Sequence, residues 1–99
     1  MYIYNVTTSI DQDIVTEWVQ WMKEVHIPEV VATGCFSEGR LCRIIGASEG
    51  GKTFAVQYIF PNLTTYHRYQ KDFAAALQAK TKEKFDGKYA AFRTVMEIL

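Results

Sequence analysis

The chain has 99 residues and a mass of 11.4 kDa, which is one domain and too little for separate catalytic and binding domains. Eleven basic residues balance eleven acidic ones, which argues against nucleic-acid binding through charge alone. Apolar residues make up 48% and include two Trp, six Tyr and six Phe, too apolar a content for a disordered chain and aromatic enough for a firm core.

Tyr2 to Ile10 is rich in β-branched and aromatic residues and predicts a strand, with Tyr2, Tyr4 and Val6 on one face and Ile3, Asn5 and Thr7 on the other. Ser9 or Asp11 is the expected cap of a helix whose apolar stripe is Ile14, Val15, Trp18, Met22 and Val25. Pro28 lacks an amide donor and is expected to kink or restart that helix near His26, with Thr33-Gly34 ending it. Cys35 to Gly46 reads as one long strand with a bulge or bend at Gly39. Ser48 to Lys52 is the expected hairpin turn, and Thr53 to Phe60 the returning strand, with Phe54, Val56, Tyr58 and Phe60 on one face. Pro61 stops it, and Asn62 is placed to cap a helix that runs to about Phe85 and ends at Asp86-Gly87. Tyr89 to Leu99 is the last strand.

The order β-α-β-β-α-β is the ferredoxin-like α+β arrangement, a four-stranded antiparallel sheet with two helices on one face. The other face then needs cover. On the expected phasing it carries Ile3, Leu41, Ile45, Ile59 and Phe92, and a second copy laid sheet against sheet is the expected partner, giving a homodimer. Residues 1–50 hold three basic and seven acidic residues, and residues 51–99 hold eight and four, so the halves attract each other within one fold or across a dimer. On one extended strand Cys35 and Cys42 would stand roughly 23 Å apart, which forbids a disulfide between them. Strand-like alternation rather than a leader begins at Tyr2, and no 18-residue apolar run is present, so a cytoplasmic protein with no membrane partner is expected.

Several stretches carry a resemblance. Ile3-Tyr4-Asn5-Val6-Thr7, the segment from Trp18 to Val30 with its His26-Ile27-Pro28, Ala55-Val56-Gln57-Tyr58, Phe85-Asp86-Gly87-Lys88 and Ala91-Phe92-Arg93-Thr94 resemble a family of short bacterial proteins of unknown function common in the Bacteroidetes. That resemblance spans nearly the whole chain and implies no established activity. More distantly, the layout is similar to the dimeric α+β barrel superfamily, which implies a barrel assembled from two copies. The superfamily includes cofactor-free monooxygenases, haem-degrading monooxygenases, isomerases and dehydratases. Its haem-degrading members place an Asn on the first strand and a Trp and a His on the second helix. Asn5 and His67 match two of those positions, but both tryptophans here fall in the first helix, so the third has no counterpart.

His26 is the sharpest single candidate. It shares a helical side with Trp18 and Met22, and an imidazole there can move a proton near neutral pH; the plainer reading has it bonding a free carbonyl at the broken helix end. Arg93 lies mid-strand among apolar neighbours. With Asn5, Gln57, Arg40 and Arg43 it would orient an anionic or carbonyl-bearing ligand in a cavity, or else form cross-strand pairs or dimer salt bridges involving Glu38 and Glu97. His67 reads as a solvated or boundary residue, and Tyr4 and Tyr58 as core. Two histidines 41 residues apart without a ligating carboxylate pattern predict no metal, and no cofactor is expected. Glu49-Gly50-Gly51-Lys52 lacks the phosphate-loop pattern. The leading expectation is a binding or structural module. The alternative is a cofactor-free enzyme using His26, Arg93 and Asn5 on a small anionic or carbonyl-bearing aromatic substrate.

Overall fold

The computed structural model describes residues 1–46 and 51–99. Strand β1 (Tyr2–Asp11) leads into a 3-10 turn (Gln12–Ile14), helix α1 (Val15–Trp21), a π turn (Met22–His26) and helix α2 (Ile27–Ala32), which together form the first helical stretch. Strands β2 (Glu38–Arg43) and β3 (Gly51–Phe60) follow. The second helical stretch is α3 (Leu63–Tyr69), a π turn (Gln70–Ala74) and α4 (Ala75–Phe85), and β4 (Tyr89–Glu97) closes the order. All strand pairings are antiparallel, in the order β2-β3-β1-β4.

The register explains which side chains meet. Tyr4 pairs with Tyr58, Val6 with Val56 and Thr8 with Phe54, so the aromatic and branched residues of the two central strands share one face. Trp18, Met22, Ile27 and Val30 come down onto that face from the first helical stretch, and Tyr69, Ala74, Leu77 and Phe85 from the second. Asn62 caps α3, its Oδ1 accepting from the Thr65 amide at 2.8 Å. Ion pairs Lys80–Glu29, Lys84–Glu17 and Lys88–Asp13 join basic residues of the second half to acidic residues of the first. The charge asymmetry is thus answered inside one chain.

Four expectations are corrected. First, no barrel forms. The sheet is open and uncurled, with β2 and β4 as edges separated by β3 and β1. A barrel assembled from two copies needs each sheet to curl so that it becomes half of a closed wall, and this sheet does not curl. Second, the strand expected from Cys35 to Gly46 is shorter. Cys35 and Phe36 lie before β2 and are buried in the core, and β2 pairs with β3 in unbroken register, without a bulge. Leu41, opposite Val56, therefore faces the helices rather than the open face, and Ile45 lies beyond the strand. Third, the α-helix restarts at Ile27, with Pro28 in its first turn, as one of the two expected outcomes, but the backbone is not broken there. His26 and Ile27 keep helical angles, and the π turn ahead of Pro28 loosens the turn whose carbonyl the ring would otherwise strike. Fourth, β1 runs through Asp11, and neither it nor Ile14 makes a side-chain cap bond. The expected turn at Ser48 to Lys52 lies largely outside the described residues. Both cysteines are free thiols. Among the described residues no helix is long and apolar enough to cross a membrane.

Gly39 is required by close approach. A Cβ there would stand 2.8 Å from two carbons of the buried Tyr58 ring and 2.9 Å from Ile27 Cγ2. Gly39→Ala is therefore expected to cost about 1–3 kcal/mol through overpacking, read as a lower urea midpoint with an unchanged slope. An unchanged midpoint would show that the ring can yield.

Candidate functional site

A cavity of about 60 Å³ lies between the helices and the sheet. That is room for about four to six water-sized groups. The strands supply its floor through residues of the helix-facing register, among them Tyr4, Thr8, Val56, Tyr58 and Arg93. Trp18, Met22, His26 and Val30 form one wall, and Tyr69, Gln78 and Thr81 the other. Two of the residues singled out in the sequence, His26 and Arg93, thus meet at one cavity although 67 positions separate them. None of its lining residues is acidic.

Arg93 stands on edge strand β4, and its Nε donates to the Tyr4 hydroxyl at 3.1 Å. Among the described residues no carboxylate pairs with it. Its remaining N–H groups are donors for an oxygen-bearing ligand. Tyr58 and Tyr69 keep their protons: burial pushes both phenols well above the ordinary value, reinforced at Tyr58 by Tyr69 and Tyr4 and at Tyr69 by Tyr4. The charge and hydrogen-bond character of the cavity is therefore that of a donor-rich site.

His26 does not bond a carbonyl at a helix end. Its ring stacks on Trp21, with centroids 4.9 Å apart, and its Nδ1 is buried without a hydrogen-bond partner in the protein. Burial lowers its pKa from 6.5 to about 4; Glu29 opposes the shift and Lys80 adds to it. The imidazole is accordingly neutral at pH 7. Among the described residues, Trp18 Nε1 is the other buried polar side-chain atom without a partner, and Trp18 lines the same cavity. Each such atom costs roughly 1–3 kcal/mol unless something polar reaches it. The sequence reading placed Trp18 in the core stripe and passed over its indole nitrogen. A donor-bearing aromatic two turns before a histidine on one helical side was the available signal.

The other candidates lie elsewhere. Asn5 faces the opposite side of the sheet, where its Oδ1 accepts from Gln57 Nε2 at 3.3 Å and its Nδ2 donates to Thr7 Oγ1 at 3.0 Å. Arg40 Nε and Nη2 both donate to Gln57 Oε1, at 3.2 and 3.1 Å, which completes a polar ladder across the open face. Arg43 lies over the Phe54 ring, 5.3 Å from its centroid. His67 is exposed on α3. Among the described residues no group of three or more His, Cys, Asp or Glu is placed to hold a metal.

Residues 1–99 match the profile of a domain family, the domain of unknown function DUF4286. No curated protein matches the chain. The fold is similar to three solved structures. An ethyl tert-butyl ether d (ethd) family protein from Bacillus halodurans aligns at 15% identity and TM-score 0.67, over 100% of both chains. A dimeric ferredoxin-like protein from an uncultured marine organism aligns at 7% identity and TM-score 0.70, over 100% of this chain and 95% of that one. Another dimeric ferredoxin-like protein from an uncultured marine organism aligns at 10% identity and TM-score 0.52, over 99% and 96%. At these identities the likeness establishes the ferredoxin-like fold alone.

The lowered pKa of His26 ties stability to pH. Between about pH 4 and 6.5 the unfolded chain binds a proton at this position that the folded chain does not, so stability rises with pH across that window and is lost as pH falls through it. The contribution across the whole window amounts to roughly 3 kcal/mol. Urea titrations at pH 4.5 and 7.5 are expected to show a smaller pH difference in His26→Gln than in wild type. Equal differences would mean that His26 titrates normally.

Proposed function

We propose that this chain, which belongs to the DUF4286 family, is a homodimeric binding module that holds a small, partly apolar molecule bearing an anionic or carbonyl group. One observation carries the reading: Arg93, protonated Tyr58 and Tyr69 and the indole of Trp18 belong to the lining of a cavity that contains no carboxylate. Such a lining favours oxygen acceptors and disfavours cations. The apolar part of the ligand would lie against Val6, Met22, Val30 and Val56.

The homodimer reading rests on the open sheet face. Phe92 is 63% exposed there, Ile3, Ile59 and Met96 form an apolar row on the same face beyond the Asn5–Gln57 row, and the two marine proteins of this fold are described as dimeric. Asn5 would then act at the partner face rather than in the cavity. An exposed free thiol at Cys42 supports a reducing, cytoplasmic setting. A second reading, a cofactor-free enzyme, is supported by the neutral His26, whose unpartnered Nδ1 beside the cavity would serve as proton acceptor with Arg93 stabilising developing negative charge.

A ligand-detected NMR screen of small carboxylates, phenols and quinones tests the binding reading. Arg93→Met is expected to weaken an anionic hit at least about tenfold, or ~1.4 kcal/mol; undiminished binding in that variant would remove Arg93 from the site. Light scattering at micromolar concentration should give twice the chain mass of 11.4 kDa. Phe92→Glu is expected to shift that mass toward the monomer, whereas a wild-type monomer would sink the dimer.

A further inference from the structure

The cavity has a second point of polar recognition besides Arg93. Trp18 is only 1% exposed and lines the cavity, and its Nε1–H finds no acceptor among the described residues. An indole N–H can only donate, and no carboxylate lies in the lining to receive it. His26 brings a second unpartnered nitrogen, Nδ1, to the same wall.

The register sets the spacing. Trp18 packs on Phe54, ring centroids 5.0 Å apart, and Phe54 lies in the cross-strand row that joins Thr8 and Ala91. Arg93 lies in the next row of the same face, with Val6 and Val56. Adjacent same-face rows are two residues apart, roughly 7 Å. The Arg93 side chain reaches still further from Trp18, since its Nε is bonded to Tyr4, one row beyond. Trp18 and the Arg93 guanidinium are thus anchored on different rows of the sheet, a separation that a short chain bridges.

We propose that the ligand is a short-chain carboxylate carrying a neutral oxygen, a hydroxyl or a carbonyl, about three or four carbons from the carboxylate. The carboxylate accepts from Arg93, and the neutral oxygen accepts from Trp18 Nε1–H at the inner end beside His26. A cavity of about 60 Å³ fits the inner part of such a molecule with its carboxylate at the exposed Arg93 end. The proposal rests on the cavity-binding reading above and adds the second functional group.

The test uses matched pairs on the native protein: 4-oxopentanoate against pentanoate, and 4-hydroxybutyrate against butyrate. Binding is followed by the indole N–H signals of Trp18 and Trp21 in ¹H–¹⁵N spectra, assigned with Trp21→Phe. The oxygen-bearing member of each pair is expected to bind at least about tenfold more tightly, and its binding to move the Trp18 indole signal more than that of Trp21. Equal affinity within both pairs, or a Trp18 indole signal unmoved by bound 4-oxopentanoate, overturns the proposal. In that case carboxylate binding that is lost in Arg93→Met leaves the cavity reading standing. If none of the four compounds binds, this proposal falls, and the cavity reading is decided separately by the wider screen of carboxylates, phenols and quinones. Because the indole signal is read in the wild type, the outcome does not depend on a Trp18 variant that folds.

Discussion

Tyr4 sits where the core ends and the cavity begins. Its ring lies within 6 Å, centroid to centroid, of Phe36, Tyr58, Tyr66 and Tyr69, so strands β1 and β3, the segment before β2 and the second helical stretch all converge on it. Its hydroxyl points the other way chemically, accepting from Arg93 on β4. Offset and tilted aromatic pairs of this kind add stabilisation beyond simple area burial, and the phenol gives a buried ring one polar end to hold an edge-strand arginine. The position of Arg93 over the cavity therefore follows from the packing of the core.

Both helical stretches carry a π turn at a comparable place, Met22–His26 and Gln70–Ala74. A π turn offsets the residues that follow it relative to an α-helix. In the first stretch it accommodates Pro28 and leaves His26 stacked on Trp21 beside the cavity. In the second it lies between Tyr69 and the segment that supplies Gln78 and Thr81 to the opposite wall. The two walls are thus shaped by the same local device, while the ion pairs from Lys80, Lys84 and Lys88 tie the second stretch and the turn after it to the first. Exposed pairs of this kind add little stability one by one; their value here is in selecting the antiparallel arrangement of the stretches.

Periodicity and turn residues made the order and type of the elements legible, because alternation of two and stripes of three and four are local properties. The face of each strand was legible for β1, β3 and β4, and so was the Asn62 cap. β2 was misjudged, since Cys35 and Phe36 are apolar and adjacent to a strand and so read as part of it, whereas they enter the core from the connection. Gly39 reads in sequence as a bulge or bend because a glycine signals several kinds of backbone freedom; only the Tyr58 ring beside it shows that close packing is the one in use.

His26 and Arg93 were recognisable as unusual residues, one two positions before a proline in a helix and one inside an apolar strand, and Asn5 was grouped with them as a polar residue inside a strand. Sequence determined the six elements, their order, the amphipathic faces and the charge difference between the halves. Tertiary structure alone decided that His26 and Arg93 share a cavity, that Asn5 lies on the far side of the sheet, and that the Trp18 nitrogen has no partner. The reason is physical: hydrogen-bond satisfaction and convergence depend on strand register and helix docking between segments far apart in the chain, and neither leaves a mark in local spacing.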